Sequence, residues 1–313
     1  MRYKLTIAYD GTDFCGWQKQ EPPEPIATGE AIANGAPTVS RAAFSETTPQ
    51  LPSQRPGRLA LRTVQAVVER AVRHVVRENI QLLGASRTDA GVHAQCQTAA
   101  FSCSPRDDLP PEQTGSGWPA ERGTDRLMLA INGQLPEDVR IVRAEQVQHG
   151  FDPIGDTLAK GYRYTLVRAM QAPLWERRYV YHIQRRDALD TAAMAAAAAE
   201  LVGTHDFAAF AAAGHGRLST IRRVDHCAVS AVPLADGSGE RIELDISGNG
   251  FLWNMVRIIA GTLVDVGLRR RTAEHVRQAL ADQDRRKAGP TLGPQGLCLM
   301  WIEYPTIEPP AAL

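Results

Sequence analysis

Hydrophobic and polar residues alternate at the start of the chain, and this pattern predicts a β-strand with one buried face. The alternating apolar positions are Tyr3, Leu5, Ile7 and Tyr9. Successive side chains of a strand point to opposite faces, so these four residues would share one face. The turn residues Asp10-Gly11-Thr12 follow directly, and we expect the chain to continue as a loop over residues 14–20.

Valine and alanine recur at intervals of three and four over residues 64–76, and this spacing predicts an amphipathic helix. Further helices are predicted at residues 189–202, with Gly203 placed to end the helix, at 251–266 and at 273–281. Apolar or alternating runs predict strands at 80–83, 99–103, 160–167, 222–232, 241–247 and 297–304. Because several strands are neighbours along the chain, the pattern favours an α+β fold with a mostly antiparallel sheet.

Two stretches, residues 21–59 and about 105–125, break this pattern. Both are rich in proline, glycine and small polar residues and lack a sustained period, which is typical of surface insertions. Around them we expect two domains. Residues 1–150 would form an N-terminal α+β half that carries both insertions, and residues 151–313 would form a C-terminal α+β half.

The composition narrows the class of protein. The chain has 35 basic and 35 acidic residues, so a site for a polyanion would require segregated charge. Five cysteines without a CxxC pair favour reduced thiols in the cytoplasm.

No apolar run reaches the roughly 20 residues that span a bilayer, and the first residues are not typical of a signal peptide. We expect a soluble protein without a metal or cofactor, because neither metal-ligand spacing nor a phosphate-binding glycine loop is present.

The segment Gly84-Ala85-Ser86-Arg87-Thr88-Asp89-Ala90-Gly91-Val92-His93 is the strongest candidate for chemistry. It places one carboxylate, Asp89, in a loop with glycines on both sides, where the backbone can approach a ligand closely. Arg87 would keep that carboxylate ionised if the two side chains pair. Taken alone, the segment is more typical of a turn between two strands.

This segment resembles the signature of the tRNA pseudouridine synthases of the TruA type. Further matches to the family follow in the same order: Tyr9-Asp10-Gly11-Thr12, Gly16-Trp17-Gln18, Thr63-Val64-Gln65, Ala130-Ile131-Asn132, Tyr162-Arg163-Tyr164, residues 203–207 and residues 251–261. The resemblance runs from Tyr3 to Tyr304, and the two insertions interrupt it.

The resemblance implies a pseudouridine synthase fold, with two similar α+β halves around a central, mostly antiparallel sheet and an RNA-binding cleft completed by the C-terminal half. It implies an isomerase that converts uridine to pseudouridine at positions 38, 39 and 40 of the tRNA anticodon stem-loop, acts without a cofactor and forms a homodimer. Three alternatives remain: a non-catalytic RNA-binding module of the same fold, a pseudouridine synthase acting on another RNA site, and an unrelated hydrolase that uses Asp89 with His93.

The resemblance also implies roles for four residues. Asp89 would be the nucleophile, attacking either the ribose or the uracil ring. Arg87 would pair with Asp89 and could hold the position that the base vacates. Tyr162 would stack on the flipped base, although a core tyrosine is the alternative. Arg257 would act electrostatically near Asp89 and needs an acidic partner if buried, although it could instead anchor its helix.

The sequence also supports limited predictions for His93 and for residues 214–220. His93 is expected to fix the loop by hydrogen bonding, because the reaction needs no histidine base. Residues 214–220 correspond loosely to a family loop that engages tRNA, and they retain Arg217, Ser219 and Thr220.

Overall fold

The structure is a computed structural model that describes residues 1–20, 60–104, 117–212, 214 and 218–305. The chain divides into two compact units. The first comprises Met1–Gly91 and Thr98–Pro153, and the second comprises Val92–Gln97 and Ile154–Leu313. The predicted insertion at 21–59 and most of the one at 105–125 lie outside the described residues, as does Arg217.

Five α-helices and ten β-strands make up the described part of the chain. The helices are α1 Val64–Val76, α2 Gly123–Asn132, α3 Thr191–Ala199, α4 Met255–Gly267 and α5 Ala273–Asp282. The strands are β1 Arg2–Tyr9, β2 Leu83–Gly84, β3 His93–Ser102, β4 Val139–Val147, β5 Ala159–Ala169, β6 Tyr181–Gln184, β7 Gly203–Asp206, β8 Ile221–Pro233, β9 Gly239–Gly248 and β10 Leu297–Glu303. Within these ranges no helix is both long and apolar enough to cross a membrane.

In the first unit, β1 runs antiparallel to β4, and β2 pairs antiparallel with β3. The alternation predicted for β1 is confirmed, since its four apolar side chains are at most 5% exposed. Tyr3 stacks on Phe101 of β3 with ring centroids 5.4 Å apart. Four valines of α1 are also buried in this unit: Val64, Val68, Val72 and Val76. Strand β1, helix α1 and the end of β3 therefore all contribute buried apolar side chains to the unit that carries Asp89.

In the second unit, neighbouring strands follow the order β10-β5-β9-β8-β7. The long strand β5 pairs antiparallel with both β10 and β9. Two pairings are parallel, β6 with β5 and the first residues of β3 with β10, where His93 lies opposite Cys298. The architecture is therefore α+β with a mostly antiparallel sheet, as predicted.

Several predicted elements differ from those observed. Residues 80–82 are irregular, so only Leu83–Gly84 forms a strand there. Helix α3 ends at Ala199, and Gly203, with φ of 121°, begins strand β7 instead of ending the helix. Helix α4 begins only at Met255, because Asn254 before it adopts a left-handed conformation with φ of 59°. Helix α2 begins inside the predicted second insertion, and β4, β6 and β7 were not predicted.

A buried carboxylate fixes the chain that leads to the Asp89 loop. Glu69 of α1 is 4% exposed at its side chain, and its Oε1 lies 2.7 Å from both Lys19 Nζ and Arg73 Nη2. Its Oε2 accepts a hydrogen bond from the backbone amide of Leu82 at 3.0 Å.

We expect Glu69→Gln to lower the free energy of unfolding by about 2 kcal/mol, because two cations then face a neutral amide in a buried site. Urea denaturation would measure this change. Glu274→Gln is the matched control, since it removes an exposed ion pair with Arg277 and should change stability by less than about 0.5 kcal/mol. Equal effects of the two substitutions would contradict a structural role for Glu69.

Candidate active site

Asp89 lies half-buried in the loop between β2 and β3. The preceding residue, Thr88, is 7% exposed, and its hydroxyl forms a buried 2.7 Å hydrogen bond with the hydroxyl of Tyr9, at the end of β1. A buried hydroxyl pair is costly to separate, because each group would lose its partner away from water. This bond therefore fixes the loop at the residue that precedes Asp89.

The main chain on both sides of Asp89 is bound to the segment Phe14–Trp17. The amide of Trp17 donates to the Thr88 carbonyl at 3.0 Å, and the amide of Gly91 donates to the Phe14 carbonyl at 3.3 Å. Gly16 makes this approach possible, because its φ is 88° and a Cβ there would lie 2.8 Å from the Thr88 oxygen. Residues 88–91 therefore have little freedom to move.

The segment Phe14–Trp17 is itself anchored to helix α1. The carbonyls of Gly16 and Trp17 accept the amides of Val64 and Gln65, at 3.2 and 3.0 Å. These amides belong to the first turn of the helix, whose N–H groups have no partner within the helix. Satisfying them with this segment connects the Asp89 loop to a rigid element.

Arg87 does not form the predicted ion pair with Asp89. Its side chain is exposed and makes no hydrogen bond or salt bridge to the residues that the structure describes. An exposed ion pair gains little over hydration, so nothing holds the guanidinium against the carboxylate.

His93, the last residue of the signature, is buried in the second unit. Its Nε2 lies 2.9 Å from the Arg178 carbonyl, and its ring packs against Tyr179 at 5.2 Å. Both contacts are of the kind expected for a structural histidine. The ring also lines a pocket of about 330 Å³ together with Arg163 and Thr165; the alternation along β5 directs those two side chains away from the face that carries Tyr162.

Tyr162 is the fourth residue of β5 and is 7% exposed. Its ring forms a T-shaped pair with the ring of Phe251, with centroids 5.2 Å apart and planes at 84°. Phe251 stands just before α4, so this contact connects the tyrosine to the helix that carries Arg257.

Arg257 is half-buried in the first turn of α4 and is held at two atoms of its guanidinium. Nε donates to the Leu292 carbonyl and Nη1 donates to Asn254 Oδ1, each at 2.7 Å. A planar guanidinium bound in two directions keeps a fixed orientation. The acidic partner expected from the sequence stays a prediction.

The segment that receives Arg257, residues 288–293, packs tightly against α4. The amide of Gly289 donates to Thr262 Oγ1 at 2.8 Å, and a Cβ on Gly261 would lie 1.9 Å from the Pro290 carbonyl oxygen. The hydroxyl of Tyr164 donates to the Gly293 carbonyl at 2.6 Å. Burial raises the pKa of Tyr164 well above its usual value, against the opposing effect of the Arg257 charge, so the hydroxyl remains a donor.

The four predicted site residues fall into two pairs. Arg87 and Asp89 belong to the first unit, and Tyr162 and Arg257 belong to the second. Among the described residues, no group of three or more histidine, cysteine or acidic side chains could hold a metal ion.

Comparison with known proteins identifies the family. A family model described as tRNA pseudouridine synthase matches residues 197–305. The tRNA pseudouridine synthase A of Pelobacter propionicus is 37% identical, over 96% of this chain and 98% of its own. The tRNA pseudouridine synthase A 2 of Clostridium perfringens is 33% identical over the same shares. The chain belongs to the tRNA pseudouridine synthase family. It is accordingly an isomerase with the pseudouridine synthase fold, as the sequence predicted.

Membership in the synthase family draws attention to residues to which the sequence assigned no role. Tyr9 was predicted to lie on the buried face of the first strand, and Gly16 was noted only as a matching position. Their contacts with Thr88 nevertheless hold the loop of Asp89. The available signal was the presence of both motifs in one chain, but sequence alone does not show that they touch.

Proposed function

We propose that this protein converts uridine to pseudouridine in tRNA, at positions 38, 39 and 40 of the anticodon stem-loop, with Asp89 as the nucleophile. Relatives named tRNA pseudouridine synthase A that match nearly the whole chain support the reaction and the substrate class. The observation that carries the role of Asp89 is its placement: a half-buried carboxylate in a loop bound on both sides.

The reaction exchanges one bond for another within the same nucleotide. The bond from N1 of uracil to C1′ of ribose breaks, a bond from C5 to C1′ forms, the hydrogen at C5 leaves as a proton, and N1 takes up a proton from solvent. A carboxylate can form a covalent intermediate with one of the two parts, either the ribose or the uracil ring. Asp89 would attack either C1′ or C6 of the ring, and both routes release the C5 proton.

The other predicted residues would act on the flipped nucleotide. A base in a stem reaches a half-buried carboxylate only after leaving the stack, which costs a few kcal/mol. Because Arg87 is exposed and has no ion pair among the described residues, it is better suited to occupy the vacated position in the RNA than to tune Asp89. Tyr162 would contact the uracil and help remove its C5 proton, and the oriented guanidinium of Arg257 would stabilise negative charge.

The proposal also covers the cellular compartment, the oligomeric state, the cofactor requirement and the domains of the protein. We propose a cytoplasmic homodimer that acts without a cofactor, in which one tRNA contacts both copies, and two domains, residues 1–150 and 151–313. Five free cysteines are consistent with a reducing compartment. Balanced total charge makes a second copy a plausible means of assembling enough basic surface for RNA.

Release of tritium from C5 of uracil tests the proposal. We expect the protein to release label from an unmodified tRNA with uridines at positions 38–40. A matched tRNA with cytidines at those positions, and label at its remaining uridines, should release none. No release from either tRNA would disprove the reaction, and equal release from both would assign the enzyme to another RNA site.

A further inference from the structure

We propose that Tyr9 is a positioning residue for Asp89, acting through its hydrogen bond with Thr88. The inference rests on the proposed function, in which Asp89 is the nucleophile. It assigns to the first strand of the fold a part in the rate of the reaction, in addition to its part in the core.

The contact joins two buried groups that are distant in sequence. Tyr9 and Thr88 are 5% and 7% exposed, and their oxygens lie 2.7 Å apart across 79 residues of chain. Where burial keeps water from competing, a hydrogen bond is stronger than in solution and its loss leaves an unsatisfied group. The bond therefore sets where the Thr88 side chain lies.

Thr88 is held at a second atom, and this makes it an effective anchor for its neighbour. The Thr88 carbonyl accepts the amide of Trp17 at 3.0 Å. With both its hydroxyl and its carbonyl bound, the residue has a fixed backbone direction, and Asp89 is attached directly to it. Movement of Thr88 would therefore shift the Asp89 carboxylate.

The hydroxyl of Tyr9 can be separated from the packing of its ring. The ring contacts Trp17, with centroids 6.2 Å apart, and the whole side chain lies on the apolar face of β1. Phenylalanine would keep that packing and remove the hydroxyl that bonds to Thr88. A displacement of about 1 Å at a catalytic group can cost roughly a hundredfold in rate, so the effect should be on kcat.

The test measures tritium release and thermal stability for Tyr9→Phe. We expect kcat to fall by about 10- to 100-fold, with KM for tRNA within about twofold, because Tyr9 acts through Thr88 and not on the RNA. Thr88→Val should lower kcat by the same factor. The double variant, Tyr9→Phe with Thr88→Val, should lose no more activity than either single variant. Thr88→Ser, which keeps the hydroxyl, should retain most of the wild-type rate.

Tyr3→Phe is the matched control. Tyr3 lies on the same buried face of β1, and its hydroxyl contacts Met1 Sδ at 3.1 Å, not the Asp89 loop. We expect this variant to retain wild-type kcat. If Tyr3→Phe and Tyr9→Phe lose rate and melting temperature equally, Tyr9 has only a structural role and the inference is wrong.

Two further outcomes separate the inference from the proposed function. An active wild-type protein with an equally active Tyr9→Phe variant overturns the positioning role alone. A wild-type protein that releases no tritium from any tRNA overturns the proposed function, and the role of Tyr9 falls with it.

Discussion

Asp89→Asn is expected to reduce tritium release from tRNA by at least about a thousandfold, the largest effect of any substitution considered. Asparagine has nearly the same shape but is a poor nucleophile, so no covalent intermediate would form. Because Asp89 is half-buried and its loop is fixed by neighbouring residues, the variant should fold and should still bind tRNA. Single-turnover release and a filter-binding measurement would separate these two properties.

Asp125→Asn provides the comparison for this substitution. Asp125 is an exposed carboxylate in the first turn of α2, in the same unit as Asp89. Its removal makes the same change in net charge and should leave the rate near that of the wild type. Undiminished release from Asp89→Asn would show that another group is the nucleophile.

Gly261→Ala is expected to destabilise the protein by about 3 kcal/mol, the upper end of the usual cost of overpacking. The added methyl would lie 1.9 Å from the carbonyl oxygen of Pro290, and the backbone cannot yield as a side chain can. Residues 288–293 would have to move away from α4, and the bond from Arg257 Nε to the Leu292 carbonyl would lengthen or break. Denaturation curves would measure the stability, and tritium release would measure the loss of rate.

Gly133→Ala is the control for the general effect of adding a methyl group. Gly133 follows α2 with φ of −66°, and a Cβ there would lie 3.5 Å from the nearest atom. The substitution suits this backbone and should be neutral or stabilise by up to about 1 kcal/mol. A Gly261→Ala variant as stable as Gly133→Ala would mean that α4 and residues 288–293 are not in close contact.

Helices and strands with a clear hydrophobic periodicity were predicted from sequence, whereas elements that depend on tertiary contacts were not. The alternation of β1 and the spacing of α1 reflect burial of one face, which the sequence records directly. Strand β7 could not be recognised, because its four residues, Gly203–Asp206, are only partly buried or exposed. Asn254 delays the start of α4 through a left-handed backbone, which a window of apolar residues does not reveal.

The candidate site likewise combines features that were predicted from sequence with features that depend on tertiary contacts. The signature segment identified Asp89, because a string of constrained residue types carries information at each position. The pairing of Arg87 with Asp89 was inferred from closeness in sequence and was wrong, since an exposed arginine is hydrated and gains little by folding back. The anchoring of Thr88 by Tyr9 joins residues 79 positions apart, and no local pattern encodes such a contact.

The parallel pairing of β3 with β10 has a consequence for how the chain is made. His93 is translated long before its partner Cys298, which belongs to the last strand that the structure describes. Until then, the first residues of β3 present an unpaired edge, which is prone to associate with other chains. The first residues of β3 thus gain β10 as a neighbour only after the ribosome has added Cys298 and Leu299, so a chain that stops before Leu297 would lack this pairing.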